Sequence, residues 1–322
     1  MFIIENVEEP RGTIISELSR NLRARGFKVS DPELSGLVSF DLMARREDER
    51  YFLKVLYNVD TIRRDAAVEL LTLARMTDSA CVVVGERSGA GRLEDGIVYY
   101  RHSIPIMSLM TFVDYVDGER PYVFSGPGGY YVSINGTEMR RTRQNRGFSI
   151  GYVSGKIGTS RRSVSLYESG SAATVEVFMK IQALLESDIK KSIDFREEIM
   201  GMDVYPSESE AEDELLRTVS GRITEAGYTV NIMHKSPFDA LARHSRETLI
   251  MGLLDLIGKD YKRASAMRNI SDILENDLII LARSRTERTQ ISGCPVVNIP
   301  EFLDFCDRGD LEALLERKKR GL

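Results

Sequence analysis

Apolar positions along this chain alternate between two spacings, and the alternation predicts its elements. Near the start, Ile14, Leu18 and Leu22 recur every four residues, the mark of a helix face, and Gly26 follows as a stop. Strands are predicted next, around residues 27–30, 38–45 and 51–57, with Glu47-Asp48-Glu49 as an exposed hairpin tip. Residues 62–77 return to helical spacing with Ala66, Ala67, Leu70, Leu71 and Ala74 inward, and Cys81-Val82-Val83-Val84 reads as a short buried strand. A further strand and a closing helix complete the segment. A helix, a meander, a crossover helix and a buried strand make a three-layer α/β module.

The pattern returns near the C-terminus. Leu215, Val219 and Ile223 repeat the first helix face, and Gly26-Phe27-Lys28-Val29 is matched by Gly227-Tyr228-Thr229-Val230. Phe40-Asp41-Leu42-Met43-Ala44-Arg45 is matched by Phe238-Asp239-Ala240-Leu241-Ala242-Arg243, and Cys81-Val82-Val83-Val84 by Leu278-Ile279-Ile280-Leu281. Ile104-Pro105-Ile106-Met107 likewise finds its counterpart in Cys294-Pro295-Val296-Val297. Segment order is kept, and Phe-Asp-x-x-Ala-Arg recurring in register makes duplication the better explanation. The expected organisation is an α/β module over 1–120, a connecting hairpin over 121–135, a helical domain over 136–200, an acidic linker over 201–210 and a second α/β module over 211–322. The hairpin rests on Tyr122-Val123-Phe124 and Tyr130-Tyr131-Val132 flanking a Gly/Pro turn, with aromatics expected to pack the helical domain against the first module.

The helical stretch carries the candidate chemistry. Ser149 is placed to cap a helix whose inward face holds Val153 and Ile157. Ser154 is small where two helices must approach, and Gly158 stands where a turn needs positive φ. Ser160 caps a second helix with Val164 and Tyr167 inward, leaving Arg161, Arg162, Ser163 and Leu166 outside. An exposed helix opening on two arginines suits reading of the DNA major groove.

Charge sharpens this. Between Asn135 and Gly170, Arg140, Arg141, Arg143, Arg146, Lys156, Arg161 and Arg162 oppose only Glu138 and Glu168, a surplus of five in a chain whose total is −5. Affinity for DNA must therefore come from a localised patch. The 322 residues suffice for two or three domains with proper cores. No apolar run approaches membrane-spanning length and the first residues lack a signal pattern, so a cytoplasmic protein without a membrane partner is expected. Cys81, Cys294 and Cys306 sit in apolar contexts without C-x-x-C spacing and are expected as buried free thiols. His102, His234 and His244 form no metal or triad spacing. No cofactor, no metal and no catalytic residues are predicted.

The stretch from about Met139 to Leu185 resembles the lambda-repressor/Cro type of helix-turn-helix, through its turn glycine, the small residue before it, the Tyr167-Glu168-Ser169-Gly170 ending and the Thr174-Val175-Glu176 opening of a following helix. The resemblance implies that Arg143 and Glu168 lock the first and third helices together. It also implies a glutamine phosphate anchor at the start of the first motif helix, where this chain has Ile150. The α/β modules resemble the PD-(D/E)xK nuclease fold, which uses an Asp and a Glu-x-Lys to hold a divalent metal. Asp41 fits the first, but Phe52-Leu53-Lys54 replaces Glu-x-Lys, and beside Asp239 the second module has Ile250-Met251-Gly252. Both are expected to be degenerate, with Asp41 and Asp239 structural. Through Lys54-Val55-Leu56, Gly85-Glu86-Arg87, Leu93-Glu94-Asp95-Gly96-Ile97-Val98-Tyr99 and the helix-turn-helix, the whole chain resembles an archaeal family of helix-turn-helix transcriptional regulators. The fold class expected is thus α/β, with two repeated restriction-endonuclease-like domains plus an all-α lambda-repressor-like domain. The expected partner is double-stranded DNA bound by a homodimer, since one recognition helix reads only a few base pairs. The candidate DNA-binding residues are Ser149, Lys156, Ser160, Arg161, Arg162, Ser163, Ser165 and Leu166. The alternative is a nuclease steered to DNA by its helix-turn-helix, resting on Asp41 and Lys54.

Overall fold

The computed structural model describes residues 10–32, 38–202, 213–258, 260–305 and 307–319. Two compact units result, and neither is a continuous stretch of chain. One holds Met1–Val55, Thr61–Val82 and Arg196–Leu322; the other holds Leu56–Asp60 and Val83–Phe195.

The first unit opens with α1 (Pro10–Ala24), which buries Ile15, Leu18 and Leu22. The inward stripe begins one residue later than Ile14, because a spacing of three followed by four fits the same helical face. Strands β1 (Lys28–Val29), β2 (Leu42–Arg46) and β3 (Glu49–Asn58) are antiparallel, and the Arg46↔Glu49 register leaves Glu47-Asp48 as the exposed tip, while Glu49, expected with them, pairs in β3 and is half-buried. Helix α2 (Arg64–Met76) buries Ala67, Leu70, Leu73 and Ala74, while Ala66 and Leu71, expected inward, are half-buried. Strand β4 (Ala80–Ser88) lies beside β3 in the sheet. Its Cys81 is a buried free thiol whose pKa is pushed up by burial.

In the second unit β5 (Gly91–Arg92) folds back on β4, and β6 (Ile97–Arg101) with β7 (Ile104–Met107) forms a hairpin whose β7 runs parallel to β4. Helix α3 (Leu109–Val116) follows, capped by Ser108. The expected hairpin is β8 (Val123–Gly126) and β9 (Gly129–Val132), and β8 extends the sheet by pairing in parallel with β6. Then come α4 (Gly136–Asn145), α5 (Ile150–Ile157), α6 (Arg161–Glu168), the short β10 (Ala173–Thr174) and α7 (Val175–Leu185). Strand β10 pairs with β9 through Ala173↔Val132, so the helices are stitched to the sheet before α4 and again after α6. Val132, Ile134 and Ile189 join Met139, Val153 and Val164 in one core. Of the hairpin aromatics, Phe124 stacks on Tyr131 at 5.9 Å and meets Tyr100 of β6 edge-on at 6.5 Å, and Tyr130 donates to Glu94 at 2.6 Å, while Val123 and Val132 pack on the core of the helices.

The chain re-enters the first unit at α8 (Phe195–Met200). The acidic linker expected at 201–210 lies almost wholly outside the described residues, as does Cys306. Helix α9 (Glu214–Glu225) is capped by Asp213 and buries Leu216, Val219 and Ile223, again one residue on from the expected Leu215. Strands β11 (Thr229–Ile232), β12 (Ala240–His244) and β13 (Glu247–Leu254), helix α10 (Asp260–Leu274) and strands β14 (Asp277–Ala282), β15 (Gln290–Ile291) and β16 (Cys294–Asn298) follow, with α11 (Ile299–Leu303) and α12 (Arg308–Lys319) last. Cys294 is buried and free, its thiol pushed up to about 11 by burial. The hydrogen-bonded order β11-β12-β13-β14-β16-β15 answers β1-β2-β3-β4-β7-β6 strand for strand.

Each residue kept in Phe-Asp-x-x-Ala-Arg has a matching job. Phe40 and Phe238 are core residues, and Ala44 and Ala242 are fully buried. The Asp41 N–H donates to Leu53 O at 2.8 Å and its carboxylate accepts from Val55 N–H at 2.6 Å; Asp239 does the same with Met251 O at 2.9 Å and Leu253 N–H at 2.7 Å. The arginines reach across the first unit in opposite directions. Arg45 donates to Ile273 O at 3.2 Å and pairs with Glu275 at 2.8 Å, while Arg243 donates to Arg75 O at 2.6 Å and pairs with Asp78 at 2.7 Å. The end of each crossover helix thus receives the arginine of the other module.

Candidate nucleic-acid interface

The two motif helices begin and end as their sequence dictates. Ser149 Oγ accepts from Tyr152 N–H at 3.0 Å and Ser160 Oγ from Ser163 N–H at 3.0 Å, each satisfying a donor that the helix itself cannot. Gly158 closes α5 at φ 73° and ψ 38°, the left-handed region where a side chain is strained. Val153, Ile157 and Val164 are buried, and Tyr167 packs half-buried on the same core. Ser154 is buried, its hydroxyl donating to Gly151 O at 3.0 Å, so the helices meet over a small, satisfied side chain.

All eight candidate residues lie on the outer sides of these helices. Ser149, Lys156, Ser160, Arg161, Arg162, Ser165 and Leu166 are exposed and Ser163 is partly so; Leu166 keeps 48% of its surface in solvent. The Lys156 ammonium stands 5.7 Å over the ring of Tyr152, an exposed aromatic that the sequence pattern did not single out.

The surplus of positive charge is narrower than the sequence count suggests. Arg141 pairs with Glu138 at 2.8 Å, Arg146 with Glu186 at 2.8 Å, and Arg140 with Glu168 at 3.4 Å. Arg143 grips Glu168 in a two-pronged pair, with Nη2 3.0 Å from Oε2, and gives its Nη1 to Phe148 O at 2.9 Å. Both partners of that pair are more than nine-tenths buried, and the Glu168 carboxylate raises the Arg143 pKa above its ordinary value. This ties α6 to α4, the role the resemblance implied. Among the described residues Lys156, Arg161 and Arg162 have no acidic partner, and these three stand on α5 and α6.

Comparison with known proteins follows the same lines. A family model described as a helix-turn-helix matches residues 139–191, and one described as a PD-(D/E)XK superfamily domain matches residues 11–121. A protein of Picrophilus torridus named "Putative HTH-type transcriptional regulatory protein" is 43% identical over 96% of this chain and 98% of its own. Proteins of the same description from Thermoplasma acidophilum, 40% identical over 98% of this chain and 100% of theirs, and Methanocaldococcus jannaschii, 32% identical over 94% and 95%, extend the likeness. The chain belongs to this archaeal helix-turn-helix regulator family. No solved structure matches it.

In this family member the nuclease-like centre is closed by its own side chains. Asp41, fully buried, accepts from Arg11 Nη2 at 2.5 Å and Lys54 Nζ at 3.1 Å besides Val55 N–H. Lys54 also donates to Val38 O at 2.7 Å, and burial lowers its pKa against the pull of Asp41. Phe52, where the fold's metal-binding glutamate would stand, is fully buried with its ring 5.0 Å from that of Phe40. Near Asp239, Arg263 pairs at 2.8 Å and Ile250 is fully buried. A Cβ on Gly252 would lie 2.7 Å from Met267 Sδ, so a methionine fills the lysine's place. These residues do not fit a divalent metal: the one carboxylate is already saturated by cations and an N–H, and its partner ligand is apolar. Sequence reasoning found Asp41, Lys54 and Phe52 but missed Arg11, whose α1 position gives no hint of a partner 30 residues away.

No helix among the described residues is long and apolar enough to cross a membrane.

Proposed function

We propose that the chain is a cytoplasmic, sequence-specific regulator of transcription that reads the major groove of double-stranded DNA with α6. The observation that carries this is the segregation of charge: four arginines of the helical region are tied to carboxylates, while Lys156, Arg161 and Arg162 stay unpaired on the two helices that would face a duplex. Ser149, Lys156 and Ser160 would hold phosphates, and an α6 arginine would give guanine a bidentate pair. The working species is a homodimer on a two-fold site with half-sites about one helical turn, roughly 34 Å, apart. Its contacts must avoid the face where Arg45 and Arg243 already cross within one chain. The two α/β modules are duplicates of one ancestral fold that now serves as scaffold.

Selection of bound sequences from random duplex DNA, followed by footprinting, tests this. The expected result is one enriched palindromic sequence, and a footprint spanning both half-sites. The Arg161→Ala/Arg162→Ala variant should lose at least about 100-fold in affinity for that site while keeping its fold, since both removed groups are worth order-of-magnitude contacts. Enrichment of no sequence, or a double variant that binds like the parent, would remove the reading.

The reading also assigns no nuclease activity to the chain, on the strength of the Arg11–Asp41–Lys54 cluster and of Phe52. Purified protein incubated with magnesium or manganese and with plasmid, linear or branched DNA should leave every substrate intact. Cleavage that disappears in Asp41→Asn would establish the nuclease alternative instead.

A further inference from the structure

The two arginines that open α6 are adjacent in sequence but differently placed. Successive residues of a helix diverge by about 100°, so Arg161 and Ser165 share one stripe and Arg162 and Leu166 the next. The Arg161 stripe leans on α5. A methyl group at Gly151 would lie 3.0 Å from Arg161 Nη2, 3.1 Å from Nε and 3.2 Å from Cζ, so the guanidinium rests flat on the backbone of the first turn of α5. A side chain at this position would have to displace the end of the arginine by a few tenths of an ångström. Ser165, its stripe partner, spends its hydroxyl proton on Arg161 O at 3.1 Å. On the other stripe Arg162 and Leu166 are exposed, and Arg162, like the exposed Arg161, has no hydrogen bond or ion pair from its side chain among the described residues.

We propose that Arg161 is a phosphate clamp seated on Gly151, and that base recognition falls to Arg162 and Leu166. This rests on the DNA-reading function proposed above and divides its labour. The first helix of a helix-turn-helix crosses the DNA backbone while the second enters the groove. A guanidinium held against α5 therefore meets a phosphate, whereas one projecting freely from α6 meets base edges. The clamp also explains Ile150. A side chain that can hydrogen-bond a phosphate is missing at the first position of α5, and a cation delivered from α6 covers that same turn. A phosphate contact carries affinity and salt dependence without sequence information; a base contact adds sequence discrimination.

The test uses the full chain and the duplex selected from random DNA. For Arg161→Ala the slope of log K against log salt should flatten by about one unit, with the same relative affinities for every single-base variant of the site. Arg161→Lys should retain the parent slope, because the charge is kept. Gly151→Ala, which keeps the Arg161 charge and shifts its guanidinium by only a few tenths of an ångström, should keep the parent slope and the base preferences, its fold checked by thermal melting and circular dichroism. Arg162→Ala should instead erase preference at one position of each half-site, a loss of about 10–100-fold between the best and the next base. If Arg161→Ala alters the preferred base, or keeps the parent slope, the clamp is overturned while the DNA-reading function stands. If the parent chain selects no sequence, both fall together.

Discussion

Replacing Glu168 by Ala should destabilise the helical region by about 3–5 kcal/mol, the largest effect expected from any single side chain there. Arg143 would keep its buried position and lose the anion that justifies it; only Phe148 O would remain as acceptor. Removing one partner of a buried pair costs more than the pair contributes, because the survivor cannot return to water. Arg140, which also leans on Glu168, would be released to solvent at little cost. Hydrogen exchange is the right measurement, since it separates α4 and α6 from the rest of a chain with two compact units. The amides of both helices should lose protection together, and specific DNA binding should fall with them. Protection unchanged to within about 1 kcal/mol would mean that the pair is not what locks these helices.

Asp41→Ala should have a comparable effect, about 3–5 kcal/mol, but in the first unit. The substitution strands Lys54, which is buried, and orphans the Val55 N–H. Arg11 is partly exposed and can recover hydration, so the damage falls mainly on the lysine. Asp41→Asn should be milder because the amide oxygen still accepts from Val55. In an enzyme the same substitution would abolish turnover with little change in stability; here stability is expected to suffer and DNA affinity of the folded chain to persist. Urea denaturation followed beside DNA titration distinguishes these cases, and an Asp41→Ala chain as stable as the parent would remove the structural role.

How far the sequence could be read depended on the range of the interaction. The caps at Ser149 and Ser160, the left-handed Gly158 and the inward Val153, Ile157 and Val164 are local, fixed by neighbours within four residues, and all stand where the pattern put them. The first residue of an inward stripe was ambiguous wherever two apolar residues adjoin, as at Ile14-Ile15 and Leu215-Leu216, since either fits a 3.6-residue period. Partners chosen by the tertiary fold were not legible. Nothing near Arg11 announces Asp41, and nothing in the hairpin of β8 and β9 announces that it pairs with β6 and β10. The seat of Arg161 on Gly151 is of the same kind: periodicity gives the face of a helix, not the direction in which a long side chain lies along it.

The reciprocal reach of Arg45 and Arg243 bears on how this protein behaves when it is scarce. Were the two α/β modules separate chains, their pairing would obey mass action and weaken on dilution. Joined in one polypeptide, they meet at a fixed local concentration that dilution cannot lower. The scaffold is then as complete in a cell holding a handful of copies as in a concentrated solution. The two sides also differ in detail: Lys54 stands where the other has Gly252, and Glu275 receives one arginine where Asp78 receives the other.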